Sequence, residues 1–388
     1  MTLTAYTGAD VFDGHIRHRN SALLVDGDRI GGIVLEGDIP ANADIHPMPG
    51  GTIAPGFVDL QVNGGGGVLF NDAQWVGTLR TIAQAHARCG TTSLLPTLIT
   101  DTPEHVRAAI DAVDQAIAAH VPGIIGLHIE GPHLSVARKG AHNPALIRKM
   151  EPADLDLLLD AVKRLPILLV TVAPENVTPE QIKTLTDAGV LISLGHTDAP
   201  YDDCKTAAAH GATCATHLFN AMSQFTGREP GLVGAALDTP TLHAGLIADG
   251  IHICAASIRT ALAAKQGPAA VFLVTDAMST VGSDITEFTL DGRTIYRRDG
   301  RLTLADGTLA GADLDMPTAL RFITSKVGLS LDEALRMATS KPAEMLQNAQ
   351  VGQLVADSPA NFIHLDDDLH LTAVWQNGAP VSDVISKP

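Results

Sequence analysis

Cationic and aromatic side chains are both in short supply in this chain. Lys and Arg number 26 against 43 Asp and Glu, for a formal net charge of −17. A surface that acidic disfavours nucleic acid and anionic membrane, because each requires a positive face. An anionic small molecule would likewise need a specific local cation. Aromatics are 4 % of the 388 residues, so Ala, Leu, Val and Ile must build the interior. Cys89, Cys204, Cys214 and Cys254 show no C-x-x-C spacing and fit a reducing compartment rather than a disulfide framework. The opening "MTLTAYTGADVFDG" has neither a basic patch nor an apolar h-region, and no apolar run reaches transmembrane length. These absences predict a soluble cytoplasmic protein.

What is present describes one large domain with a satellite. Residues 1–52 alternate polar and apolar around an Asp26-Gly27 turn, as in "SALLVDGDRIGGIVL". Residues 348–388 read the same way, with Asn377-Gly378 as their turn. The two ends are therefore predicted to form one small β-sandwich domain built from both chain termini. Between them, residues 53–347 carry eight apolar runs, beginning at Phe57, Thr92, Ile124, Ile167, Val190, Thr213, His243 and Val271. Helix-like segments such as "PEHVRAAIDAVDQAIAAH" separate them. Near-continuous apolar strands alternating with amphipathic helices predict an α/β fold, a (β/α)8 TIM-like barrel, with a doubly wound sheet as the rival. Asp-Gly pairs at Asp291, Asp299 and Asp306 predict a β-hairpin insertion over residues 286–311, near the barrel mouth.

Polar residues at the strand ends carry the functional signal. Gln61/Asn63, His128/Glu130, Glu175, His196, His217 and Asp276 end apolar runs, and Asp249 and His252 follow one slightly later. In a barrel these ends share one mouth. Glu130, His196 and His217 offer a carboxylate and two imidazoles, a donor set for catalytic zinc or a similar divalent ion with an open position for water. Asp276 is placed to accept and return a proton. Arg228, in the loop "TGREPG", is suited to bidentate recognition of phosphate or carboxylate, His252 could assist it, and His142 could polarise a carbonyl. Singly, each has a bland alternative as a cap, a core histidine or a surface charge; His133 is a weaker ligand candidate, and His86 reads as ordinary. Gly64 to Gly67 lack the Lys of a phosphate-binding loop and are expected to let a loop pack close to metal or substrate.

Taken in order, "PGFVDLQVNGGGG", "LLPTLIT", "GLHIEGPHL" with "KGAHNP", "SLGHTDA", "THLFNAM" with "TGREPGLVGAALD", "IADGIH", "LVTDA" and "GTLAG" resemble the N-acetylglucosamine-6-phosphate deacetylases of the amidohydrolase superfamily. The resemblance implies hydrolysis of the acetamide of N-acetylglucosamine 6-phosphate to glucosamine 6-phosphate and acetate, in amino-sugar catabolism or cell-wall recycling. It implies Glu130, His196 and His217 as metal ligands and Asp276 as acid/base. Ala141, His142, Asn220, Ala221, Arg228, His252, Leu309, Ala310 and Gly311 fall on substrate-contacting positions. It also implies a homodimer or dimer of dimers, with Arg228 reaching the neighbouring active site. Many amidohydrolases carry His-x-His where this chain has Gln61 and Asn63, and neutral amides bind zinc less well than imidazole. One divalent metal per subunit is therefore expected, Zn2+ with Fe2+, Co2+ or Mn2+ as alternatives, and with both amides near its water. The rival readings are a galactosamine-series deacetylase, a cyclic-amide hydrolase or deaminase, and a barrel kept for assembly without catalysis.

Overall fold

The computed structural model describes residues 3–386. Its centre is a sheet of eight parallel strands paired in sequence order: Phe57–Val62, Thr91–Ile99, Leu127–Glu130, Leu168–Val172, Leu191–Leu194, Cys214–Ala215, His243–Leu246 and Val271–Leu273. The first and eighth strands close the ring just beyond their ends. Val62 bridges Ala277, and the Asp276 amide donates to Gln61 O at 3.0 Å. Asp59 reinforces that seam from inside, taking the Thr275 hydroxyl at 2.5 Å and the Thr275 amide at 3.2 Å. The barrel expected from the eight apolar runs is thus formed, each run contributing one strand.

The strands are buried on both faces because helices cover their outer side. Pro103–Ala118 shows how: Thr102 caps it by accepting from the His105 amide, and Val106, Ala109, Ile110, Val113 and Ala116 turn inward. With few aromatics, mostly aliphatic side chains fill one continuous core that runs from Phe12 to Val374.

Both chain ends meet in the satellite. A six-stranded sheet joins Thr52–Pro55, Asp10–Phe12 and Arg17–His18 to Phe362–Leu365, Leu371–Gln376 and Ala379–Pro380. A four-stranded sheet of Leu3–Thr7, Ser21–Asp26, Arg29–Leu35 and Asp44–Pro47 accompanies it. Their shared core packs Phe362 flat on Trp375 with ring centroids 4.5 Å apart. The strand Thr52–Pro55 belongs to this sheet, pairing with Phe362–Leu365, so the chain enters the barrel at Gly56 rather than directly after residue 52.

The insertion forms a three-stranded antiparallel sheet, Glu287–Leu290, Arg293–Arg298 and Arg301–Thr303. Asp291-Gly292 and Asp299-Gly300 make its two tight turns, all four residues at positive φ. The third Asp-Gly pair differs: Asp306 is not left-handed, and a wider loop brings Leu309 back to bridge Thr303.

Gly51 and Gly292 separate two costs of a side chain. Both have positive φ, +68° and +70°, but a Cβ on Gly51 would lie 2.0 Å from Leu365 O, whereas nothing lies within 4 Å at Gly292. Gly292→Ala is expected to lose about 1–2 kcal/mol of backbone preference. Gly51→Ala must also displace a strand and is expected to lose about 3 kcal/mol or more. Chemical denaturation of both variants followed by the fluorescence of Trp75 and Trp375 checks the order.

Candidate active site

Three side chains at the barrel mouth turn inward through an unusual backbone. His196, His217 and Asp276 follow the fifth, sixth and eighth strands in the left-handed region, with φ of 48°, 33° and 52°. Such conformations cost non-glycine residues free energy and persist only where surrounding structure dictates them. Here each chain leaves its strand sharply, and its side chain stays over the barrel axis. Glu130, at the end of the third strand, needs no such turn.

The donor atoms converge. His217 Nε2 lies 3.1 Å from Glu130 Oε1, His196 Nε2 lies 3.2 Å from the same oxygen, and the two nitrogens are 3.0 Å apart. Two imidazole nitrogens and a carboxylate oxygen this close form a near-equilateral triangle. Four-coordinate ligands at ordinary zinc distances are spaced about 3.3 Å from one another, so the triangle fits one face of such a site. His196 Nδ1 donates to Arg138 O at 2.8 Å, which leaves Nε2 as a lone pair facing the other donors. His142 is a fourth donor nearby: one atom each of Glu130, His142 and His196 fall within 4.8 Å of one another. The shorter spacings favour His217 as the third member of the set. His142 is instead engaged at Nδ1 by Thr100 Oγ1 at 2.8 Å, and its ring stands edge-on to His196.

Gln61 and Asn63 point their amide nitrogens at carboxylates. Gln61 Nε2 lies 3.1 Å from both Glu130 Oε1 and Asp276 Oδ1, and Asn63 Nδ2 lies 2.7 Å from Asp276 Oδ1. Ionised carboxylates only accept, so the NH2 groups must face them. The amides thus seat the two acids, a role the sequence pattern did not suggest. Asn63 also lines the cavity, and its buried Oδ1 has no hydrogen-bond partner among the described residues.

Electrostatics divides the two acids. Burial pushes Glu130 up, but hydrogen bonds and charge from His196 and His217 outweigh it and hold the carboxyl well below its usual range. Asp276 is pushed up to about 6 by burial and by the neighbouring Glu130 charge. Burial would lower His217, yet its bond to Glu130 raises it, whereas burial and the adjacent His196 hold His142 well below the usual imidazole value.

These groups open into a cavity of about 380 Å³. Of the residues expected around a substrate, Ala141, His142, Asn220, Ala221, His252, Leu309, Ala310 and Gly311 all line it. His252 is fixed by Asp249 Oδ2, 2.6 Å from its Nδ1. Arg228 does not line it; it lies exposed on the loop after the sixth strand. Arg138 lines the cavity and pairs with Asp198 at 2.7 Å, though no strand-end pattern marked it.

Other strand-end candidates serve the scaffold. His128 lies one layer deeper, bonded to Thr97 and Thr171 at 3.2 and 2.8 Å. Glu175 is exposed and accepts from the Thr197 hydroxyl and the Asp198 amide. His133 faces Arg148 O. The glycines pack on the segment after Asp276 rather than on a ligand site: Gly66 and Gly67 donate to Val281 O and Ser279 O, and His86 bonds Gly64 O at 2.9 Å.

The amidohydrolase family model matches residues 52–387. An N-acetylgalactosamine-6-phosphate deacetylase of Shewanella sp. (strain ANA-3) is 47 % identical over 336 residues, 86 % of this chain and 84 % of its own length. An N-acetylglucosamine-6-phosphate deacetylase of Haemophilus influenzae is 36 % identical over 344 residues, 88 % and 87 % of the two chains. The crystal structure of N-acetylglucosamine-6-phosphate deacetylase from Pasteurella multocida superposes with a TM-score of 0.93 at 35 % identity, covering 97 % of this chain and 99 % of that one.

Elemental analysis should find about one divalent ion per chain after loading with zinc. Replacing Gln61 and Asn63 together by His supplies two imidazoles beside Glu130 and is expected to raise that stoichiometry toward about two. An unchanged ratio in the double variant would show that the amides are not what limits the site to one ion.

Proposed function

The chain belongs to the amidohydrolase family, and on that premise we propose that it is a metal-dependent deacetylase of N-acetylhexosamine 6-phosphates. Its reaction is hydrolysis of the acetamide of N-acetylglucosamine 6-phosphate to glucosamine 6-phosphate and acetate. The carrying observation is the 3.0–3.2 Å triangle of Glu130, His196 and His217 beside a second, separately held acid, Asp276. The galacto epimer is a second reading, favoured by the relative that is 47 % identical.

Glu130, His196 and His217 hold one divalent ion, zinc first among Fe2+, Co2+ and Mn2+ by donor type. When bound, that ion supplies Lewis acidity to the carbonyl and acidifies a water. Asp276, aimed by Gln61 and Asn63, accepts the proton of the attacking water. It then returns the proton to the amide nitrogen, since an amine cannot leave as an anion. His142 is neutral and carries one ring proton. In the proposed tautomer the Thr100 hydroxyl turns to Nδ1 at 2.8 Å rather than to Glu130 O at 3.4 Å, and Nε2 keeps the hydrogen. That N–H donates to the acetamide oxygen as charge develops there.

Asn220, Ala221, His252 and the segment from Leu309 to Gly311 surround the sugar phosphate. Arg228, exposed and outside its own cavity, reaches the phosphate from a second copy of the chain in a homodimer or dimer of dimers. Among the described residues no helix is long and apolar enough to cross a membrane.

Three outcomes test this reading. Asp276→Asn should lower kcat by roughly a thousandfold with metal content unchanged; turnover near that of the parent protein would remove Asp276 from its role. Because a base must be ionised, activity is lost as pH falls through the Asp276 pKa, and a bound cation draws that pKa down, so the acidic limb of kcat/KM should lie at or below about 6. Arg228→Ala should raise KM for the phosphorylated sugars by about tenfold or more and leave the slow turnover of unphosphorylated N-acetylhexosamines unchanged. Acetate release from both 6-phosphate epimers decides between gluco and galacto preference.

A further inference from the structure

One wall of the cavity is apolar, and the insertion supplies part of it. Ile99, Met278, Leu290 and Ala310 line the cavity and also belong to a single packed cluster with Leu69, Ile295 and Leu302. All four are buried, Leu290 to 2 % exposure. Leu290 comes from the insertion's first strand, Ile99 from the second barrel strand, and Met278 from the segment after the eighth. Gly311 makes room for the thioether: a Cβ there would stand 2.5 Å from Met278 Cγ.

The wall is braced on both sides. Arg293 donates to Ala141 O, tying the hairpin to the loop that carries His142. Arg297 holds Asp313 at 2.8 Å and Ser283 O at 2.8 Å, tying it to the segments beyond the eighth strand. An apolar surface fixed this firmly beside the acids and imidazoles is positioned to seat an apolar group and to limit its size.

Resting on the deacetylase reading above, we propose that this wall seats the methyl group of the substrate's acyl chain, and that Leu290 and Met278 set the longest acyl chain accepted. The carbonyl carbon of a planar amide has three substituents. Its oxygen is directed to His142, whose partner Thr100 adjoins Ile99 in sequence. Its nitrogen is directed to Asp276, two residues before Met278. The third substituent, the methyl, is apolar, and Ile99, Met278, Leu290 and Ala310 give it an apolar cluster lining the same cavity as His142 and Asp276. The insertion is therefore an acyl-specificity element.

The test compares kcat/KM for N-acetyl-, N-propanoyl- and N-butanoyl-hexosamine 6-phosphates in the parent protein, Leu290→Ala, Leu290→Val and Met278→Ala. The parent should lose about tenfold or more for each added methylene, the usual discrimination of a close-fitting apolar pocket. Both Ala variants should raise the butanoyl-to-acetyl ratio by about tenfold, with Leu290→Val intermediate. Inhibition by the amino-sugar phosphate product, which has no acyl group, should stay unchanged. Thermal unfolding monitors each variant, and Leu290→Val, which keeps most of the packing, remains informative if an Ala variant fails to fold. An active parent with the same acyl ratio in all variants overturns the wall assignment while leaving the deacetylase reading intact. Release of no acid from any of the three substrates by the metal-loaded parent overturns both.

Discussion

Two carboxylates share one amide donor at the mouth of the barrel. Gln61 Nε2 stands 3.1 Å from an oxygen of Glu130 and 3.1 Å from an oxygen of Asp276, both acids being buried. Like charges so close in a poorly polarisable interior repel strongly unless each has its own compensation. Glu130 has the two imidazoles, and Asp276 has the Asn63 and Gln61 amides. The compensation is unequal, so one acid is held ionised and the other is moved toward neutrality. That inequality separates an acid held as a carboxylate from one able to carry a proton.

Holding this cluster together demands much of the scaffold. Its members leave the first, third, fifth, sixth and eighth strands, and three of them do so through left-handed backbone. A closed barrel can enforce such conformations because every strand is pinned on both edges. The seam between the first and eighth strands carries both amides on one side and Asp276 on the other. It is stapled by Asp59 on Thr275, with burial pushing that carboxyl up to about 7. A seam that slipped by one residue would turn Gln61 and Asn63 away from the acids.

The barrel supplies the polar floor, and the insertion supplies a different surface. Without Leu290 and its hairpin, the side of the cavity near His142 and Met278 would be open to water. The insertion shields the acids and the imidazoles there, where a lower local dielectric strengthens each hydrogen bond. Site chemistry and site shape thus come from separate segments, the usual division in a fold that hosts many reactions.

Much of this was legible in the sequence, and the physical reason is locality. Strand runs, amphipathic helices and Asp-Gly turns are set by neighbours a few residues apart, so the barrel, the two-ended β domain and the hairpins could be read directly. The convergence of Glu130, His196 and His217 was legible as well, because parallel strands of a barrel must end at one mouth. Depth and direction were not. His128 and Glu130 are two apart on one strand face, yet only Glu130 reaches the mouth; His128 lies a layer lower among threonines. Glu175 ends a strand but turns to cap Asp198, and Gln61 and Asn63 offer nitrogen rather than oxygen to their surroundings. Arg228 is exposed outside its own cavity, a placement that its loop sequence does not specify. Alternation along a chain fixes which face a residue occupies. How far up the barrel it sits, and which neighbour from a distant strand meets it, depends on strand stagger and ring closure, which exist only in the tertiary structure.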